Sequence, residues 1–171
     1  MNEWRTLVID GYNRIPVEVT AVLKRLSVAD LEWQPRPRAN SIGWTVWHLM
    51  RLEDCQIAEL AGSEQVWIMD GWHKKFGRPR DPEDTGYGHT PGQVKGFKSP
   101  RPKIYLDYLR AVTRQTKRYL LSLKPSDLKR KLNEPWYTPV PTVAVRIVSV
   151  LADCHQHLGE ASYVRGLLKR H

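Results

Sequence analysis

Apolar residues return at three- and four-residue spacing in four long stretches of this chain, and no stretch alternates apolar with polar residues as a strand would. The first stretch runs from Trp4 to Leu26 and carries Leu7, Val8, Tyr12, Ile15, Val19, Val22, Leu23 and Leu26 on one helical face. Pro16 lies inside it and lacks the N–H that a helix interior needs, so a bend or break is expected there. Gln34-Pro35-Arg36-Pro37 then interrupts the chain, and Asn40 or Ser41 caps a second helix that reaches about Leu60 before Gly62 ends it. A third helix is read from Lys103 to Leu123, closed by Pro125, and a fourth from about Val143 to Lys169, capped by Thr142 after the Pro139-Val140-Pro141 break. A short helical turn is expected around Ser126 to Leu132 between them.

Four such helices imply an all-α protein, in its simplest form an antiparallel, up-and-down four-helix bundle. One domain spanning residues 1–171 is the natural partition at this length. Residues 63–100 form a long irregular segment between the second and third helices, rich in Gly and Pro and carrying Trp67, Trp72, His73, Tyr87 and His89. So long a connection in a compact domain is often functional, and this one is expected to cover a pocket, with Thr90 to Gly96 as a short capped helix. Seven Trp and seven Tyr against two Phe favour a half-wet cleft, because those rings combine an apolar body with a polar handle.

Twenty-seven Lys and Arg against eighteen Asp and Glu give a formal charge of +9. The basic clusters Lys74-Lys75, Lys129-Arg130-Lys131 and Lys169-Arg170 are short and scattered, with no nucleic-acid-binding motif, so a nucleic-acid partner is not expected. Cys55 and Cys154 lack the CxxC spacing of zinc or redox sites and fit a reducing cytoplasm. Met1 leads into a charged amphipathic stretch, and no run of apolar residues is long enough for a membrane span, so the expectation is a cytoplasmic protein without a membrane partner.

On the last helix Val143, Ile147, Val150, Cys154, Leu158 and Ala161 form the core face, while Asp153, His157, Glu160 and Val164 form a stripe on its flank. Asp153 and His157 are one turn apart and can point at one cation. His48 is the natural third ligand, because it lies in Ile42-Gly43-Trp44-Thr45-Val46-Trp47-His48-Leu49, where an unpaired imidazole would be costly. The competing reading is a hydrogen-bonded core histidine, the more frequent fate of a lone His near an apolar face. Three protein ligands leave a tetrahedral ion one position for an outside ligand, as in catalytic sites. His155 lies about 200° around the helix from Asp153 and is expected to face solvent or an interface. Glu53 and Asp54 follow His48 by more than a turn, and Asp54 is expected to pair with Arg51 or Arg25 on the bundle surface.

Four segments resemble the DinB-like metalloproteins, which include the metal-binding domain of mycothiol-dependent maleylpyruvate isomerase and the bacillithiol transferases. They are Asn40-Ser41-Ile42-Gly43-Trp44-Thr45-Val46-Trp47-His48-Leu49-Met50-Arg51-Leu52-Glu53-Asp54, Val66-Trp67-Ile68-Met69-Asp70-Gly71-Trp72, Gly86-Tyr87-Gly88-His89-Thr90 and His157-Leu158-Gly159-Glu160-Ala161-Ser162-Tyr163-Val164-Arg165-Gly166. The resemblance implies a four-helix bundle, usually a homodimer, with zinc or nickel held by His48 of the second helix and by Asp153 and His157 of the last. Many members have a histidine where this chain has Asp153, and the isomerase branch has a carboxylate there. A carboxylate is a harder ligand, compatible with manganese or iron as well. The resemblance further implies a metal that activates a low-molecular-weight thiol for transfer or isomerisation. Arg51, Arg165, Trp72 and His89 are then expected around that cosubstrate, the arginines binding its anionic groups. The alternative functions are a non-catalytic, metal-binding stress-response protein and, less favoured, a basic nucleic-acid-associated protein.

Overall fold

The computed structural model describes residues 3–168; the Lys169-Arg170 cluster and the expected last residue of the final helix, Lys169, lie outside the described residues. Among the described residues the structure is all-helical, with one isolated bridge between Lys131 and Thr142. The four long helices are α1 (Glu3–Leu23), α3 (Ile42–Ala61), α7 (Pro102–Ser122) and α8 (Val143–Leu168). Short helices α2 (Val28–Glu32), α4 (Val66–Met69), α5 (Trp72–Lys75) and α6 (Pro91–Lys95) fill the connections, and Asp127–Lys129 makes one 3-10 turn. No helix among these residues is long and apolar enough to cross a membrane.

Local chemistry accounts for several boundaries. Ser41 accepts a hydrogen bond from the Trp44 N–H to start α3, and Gly62, in the left-handed region at φ 62°, ends it. Ser27 and Asp30 form a capping box that nucleates α2, an element the apolar periodicity did not reveal. A second capping box, Thr90 with Gln93, starts α6 where the sequence placed it. Helix α1 is not split at Pro16: Ile15 and Val19, both fully buried, hold the chain helical on either side of the missing hydrogen bond.

Each long helix packs against two others, α1 and α3 each lying between α7 and α8. Helices α3 and α8 run in opposite directions, since Arg146 bonds Gln56, the Cys154 thiol meets the Leu49 carbonyl, and Thr45 shares a cavity with Val164. Helices α3 and α7 run in the same direction: Gly43 lies beside Tyr105, Glu53 accepts from Thr116, and Arg130 links Leu60 to the Tyr119 end of α7. Likewise α1 and α8 are parallel, with Tyr12 bonded to Ile147 and Arg165 bonded to Val22. The simple up-and-down succession expected from four helical segments is therefore corrected to one with two parallel neighbouring pairs. A parallel neighbour requires a long return path, and residues 62–101 supply it by carrying the chain back along the bundle before α7 begins.

This crossover is packed rather than loose. Trp67, Trp72, Phe76 and Phe97 are all buried. Asp54 accepts hydrogen bonds from the Val66 and Trp67 N–H groups at 3.0 and 2.8 Å and from the Tyr108 hydroxyl at 2.8 Å. Arg51, with no exposed surface, donates to the Asp84 and Pro82 carbonyls and to Gln65, and lies over the Trp67 ring. Arg51 and Asp54 are thus an interior pair binding the crossover to α3, not a surface pair. Basic residues of the short clusters also serve the fold: Lys75 sits over the Trp72 ring and Arg130 donates to the Leu60 carbonyl.

Glu53 is fully buried at the centre of the bundle; its Oε1 accepts from the Thr116 hydroxyl at 2.6 Å and its Oε2 has no partner among the described residues. Burial pushes its pKa up to about 7, with the Thr116 hydrogen bond opposing and the nearby Asp54 charge adding to the rise. Because the folded protein then binds this proton more tightly than the unfolded chain, the contribution of Glu53 to stability falls as pH rises from the ordinary carboxyl range through about 7. Glu53→Gln should accordingly gain stability over the parent at pH 8 relative to pH 5, by roughly 2–3 kcal/mol at about 1.4 kcal/mol for each tenfold change. Urea titrations at the two pH values check this, and an unchanged difference would show that Glu53 is ionised throughout.

Candidate metal centre

The antiparallel contact of α3 with α8 brings His48 to Asp153 and His157, and one ligand atom from each lies within 4.8 Å of the others. No other group of three His, Cys, Asp or Glu side chains among the described residues converges in this way. The His48 and His157 rings meet edge to face at 4.8 Å, and His157 Nε2 stands 3.6 Å from Asp153 Oδ2. Two ligands of one cation, each at roughly 2.0–2.2 Å from it, take up a comparable separation.

The ring nitrogens facing away from the centre are engaged. His48 Nδ1 lies 2.5 Å from the Thr85 carbonyl, so it carries the proton and leaves the Nε2 lone pair for a ligand bond. His157 Nδ1 lies 2.8 Å from Glu160 Oε2, which orients that ring in the same sense and leaves its Nε2 facing the centre. Burial lowers the pKa of His48, against the opposing hydrogen bond to Thr85, which favours the neutral ring that binds metals.

Asp153 carries the decisive test of fit. Its Oδ2 is buried and has no hydrogen-bond partner among the described residues, although the side chain as a whole is about one-third exposed. A shielded carboxylate oxygen without a donor costs free energy, and a cation shared with the two imidazoles removes that cost. Two neutral imidazoles and one carboxylate suit a borderline divalent cation.

The crossover holds the site from the far side. Trp44 stacks on His48 at 4.9 Å and 15°, and its indole N–H donates to His89 Nδ1 at 3.1 Å; His89 Nε2 in turn lies 3.2 Å from Asp84 Oδ1. His89 is therefore one aromatic ring removed from the centre, in the wall rather than among the ligands. Gly86 explains how Thr85 comes so near. Its φ is +91°, and a Cβ there would lie 2.8 Å from Trp47, 3.0 Å from Trp44 and 3.1 Å from His48 Nδ1.

The other expected cosubstrate contacts are placed elsewhere. Arg51 is spent on the interior network that ties the crossover to α3, because a buried guanidinium must satisfy its donors inside the protein. Arg165 donates to the Val22 and Lys24 carbonyls at the end of α1, groups that a helix C-terminus leaves unpaired. Trp72 is buried against Tyr108, at 5.4 Å between ring centres. His155 faces α1, with Nε2 3.4 Å from the Gly11 carbonyl and Nδ1 3.6 Å from Glu18, so it is interfacial. Glu53 faces Thr116 and gives no support to His48. Sequence reasoning placed Glu160 on the correct stripe without assigning it a task, and it had no signal for the Thr85 carbonyl, a backbone group far away in the chain. Burial raises both cysteine thiols, Cys55 to about 11 and Cys154 well above its ordinary range, so neither supplies a thiolate at neutral pH.

His48→Ala, Asp153→Ala and His157→Ala should each abolish stoichiometric zinc or nickel binding and the rise in Tm that it produces, whereas His155→Ala should preserve both. Glu160→Gln should weaken metal affinity by about 10- to 100-fold. Metal analysis with thermal denaturation checks the series, and equal losses at His155 and His157 would contradict this arrangement.

The chain matches the DinB superfamily over residues 12–161. It is similar to the crystal structure of the conserved protein of locus from Enterococcus faecalis, with 29% identity, a TM-score of 0.91, and coverage of 100% of both chains. No curated protein matches it. The chain belongs to the DinB superfamily.

Proposed function

We propose that the His48, Asp153 and His157 triad holds a divalent cation, zinc or nickel before manganese or iron, and that the protein is an enzyme using it to activate a low-molecular-weight thiol. The observation that carries this reading is the buried Asp153 Oδ2 without a donor, set between two imidazoles whose outer nitrogens are already engaged. A structural site would be closed by a fourth protein ligand, and none joins the group among the described residues. A bound cation supplies one thing here, a thiol that loses its proton at neutral pH.

The remaining tasks fall to the protein's own side chains. Glu160 and the Thr85 carbonyl keep both imidazoles oriented, and Trp44 screens one face of His48 from water. A cavity of about 520 Å³ borders the site on the Glu160 side, lined by Thr45, Asn40 and Tyr163 together with Arg36 and Arg38. Those two exposed arginines, in the loop before α3, take the place expected for Arg51 and Arg165 as partners for the anionic groups of a thiol cosubstrate. Transfer of the sulfur to an electrophile, or thiol-assisted isomerisation, is the reaction class this arrangement supports.

Zinc- or nickel-loaded protein should conjugate at least one of mycothiol, bacillithiol, coenzyme A or glutathione to a model electrophile such as monochlorobimane. The rate should return to background on chelation and in His48→Ala. Stoichiometric metal with no acceleration for any of the four thiols would instead identify a non-catalytic metal-binding protein.

A further inference from the structure

A second cavity, of about 560 Å³, opens on the other side of the triad, and Asp153 itself forms part of its wall. Val150 is its buried floor beside the half-buried Leu52, while Val140, Val145, Tyr137 and Pro139 form walls and rim. Its volume lies within the range of small-molecule sites. Helix α8 thus carries one cavity at Val145, Val150 and Asp153 and the other at Glu160 and Val164, with His157 between them.

The two cavities differ in chemistry. The Glu160 side is bordered by the exposed Arg36 and Arg38. In the Asp153 cavity the one arginine, Arg146, is already committed: its guanidinium donates to Glu134 and to Gln56 and lies 3.6 Å from Glu59. Glu134 is itself buried. That ion pair neutralises the charge in the wall and fastens the 134–141 segment to α8 and α3, so the apolar surface is preformed. A neutral apolar group finds matching surface there, whereas an anion finds no unengaged cationic side chain.

We propose that the Asp153 cavity is the site of the second substrate, a neutral, apolar, ring-sized molecule whose reacting atom is delivered to the thiol sulfur at the centre beside Asp153. This rests on the metal reading of the triad. It divides the tasks between the cavities, with a polar, anionic partner on the Arg36 and Arg38 side and an apolar acceptor on the Val145 side. The two would meet at the centre from opposite directions.

Two hydroxamates separate this proposal from the metal reading beneath it, because both share one chelating group and only one carries a ring. Benzohydroxamate should bind zinc-loaded protein about 10-fold more tightly than acetohydroxamate, measured by calorimetry. Val145→Trp, at a position 52% exposed on the cavity rim and remote from the ligand atoms, should erase that preference while leaving acetohydroxamate affinity and zinc content unchanged. Tyr137→Ala, which opens the opposite wall, should reduce the preference without affecting Tm. Equal affinities for the two hydroxamates, or a preference that survives both substitutions, would overturn the cavity assignment and leave the metal reading standing. Protein that takes up zinc but binds neither hydroxamate would also overturn it, by showing that no ligand reaches the cation from this side. Protein that takes up no zinc would instead overturn the metal reading, and the cavity assignment with it.

Discussion

Arg51 makes the bundle and its crossover one body. With no exposed surface, its guanidinium must find every partner inside the protein, and it finds them in the Pro82 and Asp84 carbonyls, Gln65 and Asp54. Leaving such a group unpaired would cost several kcal/mol, so residues 82–84 have little freedom to lie anywhere else. Thr85 follows directly, and its carbonyl reaches His48. The tautomer of a candidate metal ligand is in this way set by an arginine one turn further along the same helix, acting through a segment more than thirty residues away in sequence.

The same dependence explains the aromatic content. Trp44, Trp47, Trp67 and Phe97 form a continuous ring-to-ring layer between α3 and the crossover, with His89 joined to it. Rings of this size bury a large apolar area per residue, which lets a segment with little regular structure pack like a core element. Their polar edges are used selectively: Trp44 donates to His89, while the indole nitrogens of Trp47, Trp67 and Trp72 are buried without acceptors among the described residues. The layer gains most of its stability from apolar burial, and one hydrogen bond in it serves the site.

Around the triad, each candidate ligand stands in a distinct setting. His48 is the deeply buried one, gripped by the crossover; His157 is oriented by a carboxylate on its own helix; Asp153 is the least enclosed and borders a cavity. A cation held among them would have a protein-shielded side toward Trp44 and an approachable side toward the cavities. Two of the three residues that would hold it, Asp153 and His157, stand one turn apart on α8 with Glu160 beside them, so that helix provides most of the site and α3 closes it.

Spacing made the α8 half of the centre legible, because Asp153, His157 and Glu160 are neighbours on any regular helix whatever it packs against. Caps were equally local: Ser41, Gly62 and Thr90 act on residues within one turn of themselves. Capping box Ser27-Asp30 was present in the sequence too, but α2 is too short to show apolar periodicity. Helix direction was not legible. Periodicity reports which face of a helix is apolar and is silent on whether its neighbour runs parallel, so the crossover's part as the return path that parallel packing demands was not legible. Arg51 and Asp54 misled for a related reason: a charged pair at helical spacing looks the same on a surface as in an interior, and only the walls built by Trp67 and Tyr108 decide between them. The sequence by itself determined the long helices, the caps at Ser41, Gly62 and Thr90 and the i, i+4 pair of candidate ligands, all products of chain-local geometry. Tertiary structure alone decided the approach of His48 to that pair, the carbonyl that orients it and the cavities on either side, because each depends on atoms that only packing brings together.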